Sequence, residues 1–487
     1  MSSSLILTCV LAYSALLFFI VWLTSRNANN ESFFIGNRSS RWYVVAYGMI
    51  GASLSGVTFM SVPGDVGSRD FSYFQMVLGY LLGYGVIAFV LLPIYYKMNL
   101  TSIYGYLKTR LGVFSYKTGA LFFILSRVVG ASFRLYIVVY VLQRFVFDAW
   151  NIPFWITVLI FIVLILTYTF KGGVKTIVWT DSLQTTFMLL SLGLSVILIS
   201  KEMNLNFSGM INAISDTHYA NWIEGNWRSR FFFPKDFFGG MFIAIAMTGL
   251  DQEMMQKNIS VKTLGASKKN IIVFSIVLVF INLLFLFLGA LLYMYAQAKG
   301  ISFPKKTDDM FPTIVLHSLG TLSAIFFIIG LISAAYPSAD GALTALTSSF
   351  CIDFLGFENR KDLNEQRKVA LRQKVHLSFA LVLFIVIMLF YVINNEAVVR
   401  QVFKFATYTY GPLLGLFFFG ILTKKQVKDR FAPYVCLIAP VICFVLDTNS
   451  KLLFNGYQFG NELLILNGGI TFVGLWIISK RNLHIIR

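Results

Sequence analysis

Charge is what this chain lacks most. Asp, Glu, Lys and Arg together make up 13% of 487 residues, about half the share a soluble domain uses to cover its surface. That excludes an ordinary water-soluble domain. Cysteine and histidine are scarce too, four of each. Cys9, Cys351, Cys436 and Cys443 lie in or at the ends of apolar runs, show no metal-ligand spacing and are assigned no role. The histidines are scattered, so no His/Cys/carboxylate cluster points to catalysis, and no enzyme is expected. The first apolar run has no basic segment before it and no A-x-A site after it, so it is not read as a cleaved signal. No signalling module is expected beside the apolar bundle either.

What the chain does have is apolar length. Hydrophobic residues are 57% and aromatics 16%, in runs of about 18 residues or more, enough to cross hydrocarbon. The reading is an all-α polytopic membrane protein with about thirteen transmembrane helices. They fall near 5–24, 43–62, 74–94, 119–146, 153–170, 176–200, 237–256, 270–297, 313–350, 375–394, 403–422, 432–447 and 462–479. The net charge of +18 follows the positive-inside pattern rather than a nucleic-acid surface. Arg26, Arg38 and Arg41 follow the first span, and Lys97, Lys108, Arg110 and Lys117 follow the third. The run "NRKDLNEQRKVALRQK" (359–374) and the tail "KRNLHIIR" fall on the same side. This orientation puts the N-terminus outside and the C-terminus in the cytoplasm, in a cytoplasmic (inner) membrane. The outer loop 201–236 is aromatic and is expected to pack over the outer face.

Two spans are interrupted by glycine in comparable ways, "YGMIGASLSGVTFMSVPG" (47–64) and "GGMFIAIAMTG" (239–249). Glycine alone also serves close helix packing. As a pair, the interruptions divide one membrane domain (1–487) into an extra N-terminal helix (5–24), a first repeat (43–200), a second repeat (237–422) and two C-terminal helices (432–479). Paired broken helices of this kind mark an inverted-repeat transporter with its site at the midplane.

An ionisable side chain at membrane depth costs several kcal/mol unless paired or wetted. Asp181, Asp340, Arg127, Arg134 and Asp251 therefore need a reason. The richest stretch is "SAAYPSADGALTALTSSF" (333–350). On a helix, Ala334, Pro337, Ser338, Gly341, Ala345 and Ser348 share a small, oxygen-bearing face, with Asp340, Thr344 and Thr347 beside it. Pro337 has no N–H, so the Ser333 carbonyl loses its helical donor. A freed carbonyl, hydroxyls and a carboxylate are the hard oxygen ligands a small cation takes. A packing face with a proline kink would explain all of this except Asp340.

A second group is "YTFKGGVKTIVWTDSLQ" (168–184), in which Gly172 and Gly173 make a turn and Asp181 enters the next span. On its own Asp181 could be a helix-start carboxylate. Together, however, Tyr168, Gly172–Gly173, Trp179–Thr180–Asp181 and Gln184 resemble the signature of the sodium:solute symporter family. "SGVTFMSVPG" (55–64), "DQEMMQKN" (251–258) and the hydroxyl-rich helix fit the same resemblance, which covers nearly the whole chain. The run Thr58–Pro63 is similar to the one in bacterial sialic acid symporters.

The resemblance implies a LeuT-like five-plus-five core that imports a small organic solute with one or two Na+ ions. It places the principal sodium site on the carbonyls of Gly51, Leu54 and Ala334, with Pro337 and Ser338 at two hydroxyl positions, so Pro337 removes one ligand. It places a second sodium site at Asp181, Asp340 and Gly341. Solute contacts map to Ser55, Thr58 and Tyr73, with Gln75 nearby. The arginine that holds a carboxylate in sialic acid symporters corresponds here to Gly130. Arg134 and Arg127 lie a turn to either side on the same helix face, so an organic anion is the expected solute. Three readings stay open beside it: a neutral sugar or polyol, proton coupling through Asp181 and Asp340, and a sensor that binds solute without moving it.

Overall fold

The computed structural model describes residues 3–24, 30–360, 362–393 and 396–480. Arg26 and the tail from Arg481 onward lie outside the described residues. The long helices are α1 (Ser3–Thr24), α2 (Trp42–Ser53), α3 (Gly56–Arg69), α4 (Tyr73–Val86), α5 (Val113–Leu142), α6 (Phe154–Glu202) and α7 (Phe233–Ala244). They continue with α8 (Gln252–Ile259), α9 (Leu264–Ala298), α10 (Gly320–Ser349), α11 (Glu365–Ile393), α12 (Glu396–Leu422), α13 (Ala432–Thr448) and α14 (Leu463–Ile477). Among the described residues, strand pairing is confined to Gln426–Val427 against Ser479–Lys480 and one isolated bridge, Ser40 with Val261. Among the described residues nine helical stretches are long and apolar enough to cross a membrane, and two shorter apolar helices, Phe154–Phe170 and Leu463–Ile477, accompany them.

Both glycine-interrupted segments are broken, and in the same manner. The first stops at Ser53; Leu54 and Ser55 are non-helical (Ser55 φ −75°, ψ 172°), and α3 starts at Gly56. The second runs from α7 through a wide π-turn over Ile245–Gly249, breaks at Leu250 and Asp251, and restarts as α8. The span expected as one helix over 237–256 is thus two helices. Asp251 caps the second, its Oδ1 accepting the Met254 N–H at 3.2 Å. The Gly172–Gly173 turn interrupts α6 at Gly173, whose φ of +54° suits glycine. A side chain there would also collide with Phe33.

Small residues bring α4 and α7 into backbone contact. A Cβ on Gly79 would strike the Phe237 carbonyl, and one on Gly240 the Met76 carbonyl. In lipid, close packing of this kind is a main source of helix association. The loop 201–236 packs against α4. Gln75 donates to the Ser72 and Phe231 carbonyls, both at 3.0 Å, and accepts the Glu224 N–H at 3.0 Å.

Candidate functional site: two broken helices and a buried charge network

A broken helix frees carbonyls, and each buried one must find a partner. At the second break the protein supplies it. Tyr95 donates its hydroxyl to the Gly249 carbonyl at 2.8 Å, and Tyr104 to the Leu250 carbonyl at 3.0 Å. At the first break no side chain among the described residues donates to the carbonyls of Gly51, Leu54 or Ala334. Helix α10 lies directly alongside, since a Cβ on Gly56 would sit 3.8 Å from the Ala334 carbonyl. On that helix the buried Ser338 hydroxyl, one turn beyond Ala334, has no hydrogen-bond partner, while Ser333 faces Tyr13 and Thr344 lies more than two turns away. Pro337 keeps its place in α10 and leaves the Ser333 carbonyl without a helical donor. One break is sealed by tyrosines; at the other the carbonyls receive no side-chain donor and the Ser338 hydroxyl beside them is unpartnered. That donor set fits a hard cation such as sodium.

The second grouping holds more charge than the sequence reading foresaw. Asp181 and Asp340 are both fully buried. Asp340 accepts the Tyr168 hydroxyl at 2.8 Å. Asp181 is ion-paired: Lys257 Nζ lies 2.7 Å from its Oδ2 and 3.5 Å from Glu253 Oε1. Gly341 has no side chain because the Glu253 carboxylate fills that notch. Glu253 also binds Arg127, whose guanidinium lies 3.5 Å from Asp251 Oδ1. Tyr410 donates to the other Asp251 oxygen at 2.7 Å.

Lys257 and Glu253 were missed because "DQEMMQKN" straddles the end of the span read over 237–256, where charged residues are ordinary. Its eight helical residues are in fact all buried. The available signal was Glu253 and Lys257 at i, i+4, immediately after an intramembrane carboxylate. Gln184, a turn beyond Asp181, is also fully buried, and neither end of its amide has a partner.

The expected solute residues divide. Ser55 is buried at the first break; Thr58 and Tyr73 are half-buried. Arg69 stacks on the Tyr73 ring at 5.1 Å. Gln75 is not available to a solute, because the loop bonds described above use both ends of its amide. Arg127 is likewise committed, to Glu253 and Asp251. Arg134 differs: it is half-buried and makes no hydrogen bond or ion pair with another described residue. It sits one turn from Val138, which packs against Gly56 at the first break, and one turn from Gly130, beside which there is open space.

Paired broken helices, a buried ion network and unpartnered oxygens at one break define a membrane transporter rather than an enzyme or a pore. The chain belongs to the sodium:solute symporter family, whose model matches residues 33–429. It is similar to the sodium/sialic acid symporter NanT of Aliivibrio fischeri, 23% identical over 93% of this chain and 89% of the relative. It is also similar to mouse sodium-coupled monocarboxylate transporter 1, 24% identical over 81% of this chain and 64% of the relative. Among solved structures, that of a Na+-coupled sialic acid symporter in a substrate-bound outward-open state superposes with a TM-score of 0.82. It is 18% identical and covers 98% of both chains, which fixes the shared fold.

Proposed function

We propose that this protein imports a small organic anion, a carboxylate, together with sodium by alternating access. The observation that carries the reading is the contrast between two arginines on one face of α5. Arg127 is ion-paired with Glu253 and Asp251, while Arg134 makes no ion pair with a described residue, feels those two carboxylates only at longer range, and lies a turn from the open space at Gly130. A guanidinium at membrane depth with no direct ion pair calls for an anionic partner, and its planar fork suits a carboxylate. Relatives named for sialic acid and monocarboxylate transport are consistent with that class. Ser55, Thr58 and Tyr73 would contact the remainder of the solute.

Sodium is assigned to the first break, on the carbonyls of Gly51, Leu54 and Ala334 and the Ser338 hydroxyl. Residues 43–200 and 237–422 are assigned as the two repeats that move against each other. Basic segments 97–117 and 359–374 support an N-terminus outside and a C-terminus in the cytoplasm of an inner membrane. The test is thermal stability of the purified protein with sialic acids, short monocarboxylates, neutral sugars, inositol and amino acids, each in sodium and in choline chloride. One organic anion should stabilise it, and only in sodium. Stabilisation by a neutral solute instead, or equally in choline, would overturn the proposal.

A further inference from the structure

The position expected to hold a second sodium ion already contains a cation of the protein's own. Lys257 Nζ is 2.7 Å from Asp181 Oδ2, and its residue is 2% exposed against 0% for Asp181. Neighbouring helices close in on the pair. A Cβ on Gly48 would lie 3.1 Å from Asp181 Cβ, so α2 abuts the aspartate directly. Glu253 fills the notch at Gly341 and lies 3.5 Å from the ammonium. Asp181 Oδ1 and the Thr344 hydroxyl are both buried without hydrogen-bond partners. This is an oxygen-rich site with one positive charge in it, and that charge is covalently tethered.

We infer that Lys257 serves as the built-in counter-cation of this second position, so that the protein binds and moves a single sodium ion, at the first break. The inference rests on the sodium-coupled reading and deepens it. A tethered ammonium forfeits no translational freedom on arriving, and it carries the same charge as sodium. A sodium ion entering beside it would meet a like charge at close range in a medium that screens poorly. It would have to evict Lys257, whose other acceptor within ion-pair distance among the described residues is Glu253, itself already held by Arg127. Asp340 accepts from Tyr168 and acts on Lys257 only at longer range.

The experiment counts ions directly: equilibrium binding of radioactive sodium to the detergent-purified full chain, alongside the sodium dependence of uptake. Wild type should bind one sodium per chain with a Hill coefficient near one. Lys257→Met, which keeps the apolar stem and removes the charge, should expose Asp181 and bind two, with a Hill coefficient rising toward two. Lys257→Met combined with Asp181→Asn should return to one. Two ions on wild type would overturn the inference, as would Lys257→Met remaining at one. If Lys257→Met fails to fold, the wild-type count alone decides. No sodium bound to wild type would be a different failure, that of sodium coupling itself.

Discussion

At the residue scale, the two arginines of α5 call for opposite experiments. Arg134→Gln should raise the KM for the anionic solute about 10- to 100-fold, since hydrogen bonds to a charged group are worth about 1.5–3 kcal/mol. Thermal stability without solute should hardly change. Arg127→Ala should instead lower stability by about 3–5 kcal/mol, the usual result of stripping one partner from a buried ion pair, read as a lower Tm in the absence of solute. Pro337→Ser would restore a hydroxyl beside Ser338 and should tighten sodium activation about 3- to 10-fold; unchanged sodium dependence would remove Pro337 from the site. The sequence shows that Arg127 and Arg134 share a face, because helical periodicity alone establishes that. It cannot show that their partners differ, because Glu253 approaches Arg127 from a segment more than a hundred residues away, through a break in another helix.

Among elements, the two broken helices are alike in backbone and unlike in how their carbonyls are satisfied. Tyr95→Phe and Tyr104→Phe should each cost about 1 kcal/mol by leaving a freed carbonyl unpaired, measured as Tm, with the sodium dependence of uptake unchanged. A shift in sodium dependence would mean the second break also reports to the cation site. Long apolar runs made the spans legible, and clustered glycines made both interruptions legible, because each signal is local. The course of α8 was not. Eight residues rich in amide and charge look solvent-exposed in isolation, and only the surrounding tyrosines, Arg127 and Asp181 make their burial affordable. Asp181 and Asp340 stood out in the sequence because carboxylates are rare in apolar runs. Lys257 did not, because lysine is ordinary in a loop.

Across the whole molecule, one loop outside the membrane-spanning segments carries a buried titratable carboxyl. The segment Thr307–Asp309 folds onto α3 because Gly64 offers no side chain, and Asp308 comes to rest against that helix. Burial, reinforced by nearby Asp65 and eased by Ser61, raises the Asp308 carboxyl from 3.8 to about 6. The folded state therefore keeps a proton that the unfolded chain releases near 3.8, and stability falls as pH rises from about 4 to about 6. Asp308→Asn should flatten that part of a Tm-against-pH curve; an unaltered slope would assign it to other groups. The tethered lysine has the widest reach. A monoanion entering with one sodium carries no current, so the membrane voltage does no work on the cycle. Accumulation then stops where the solute ratio equals the sodium ratio, about tenfold for a tenfold gradient. If one sodium moves per solute, the carrier reverses once the solute ratio exceeds the sodium ratio, so the same protein would act as an overflow valve along with an inlet.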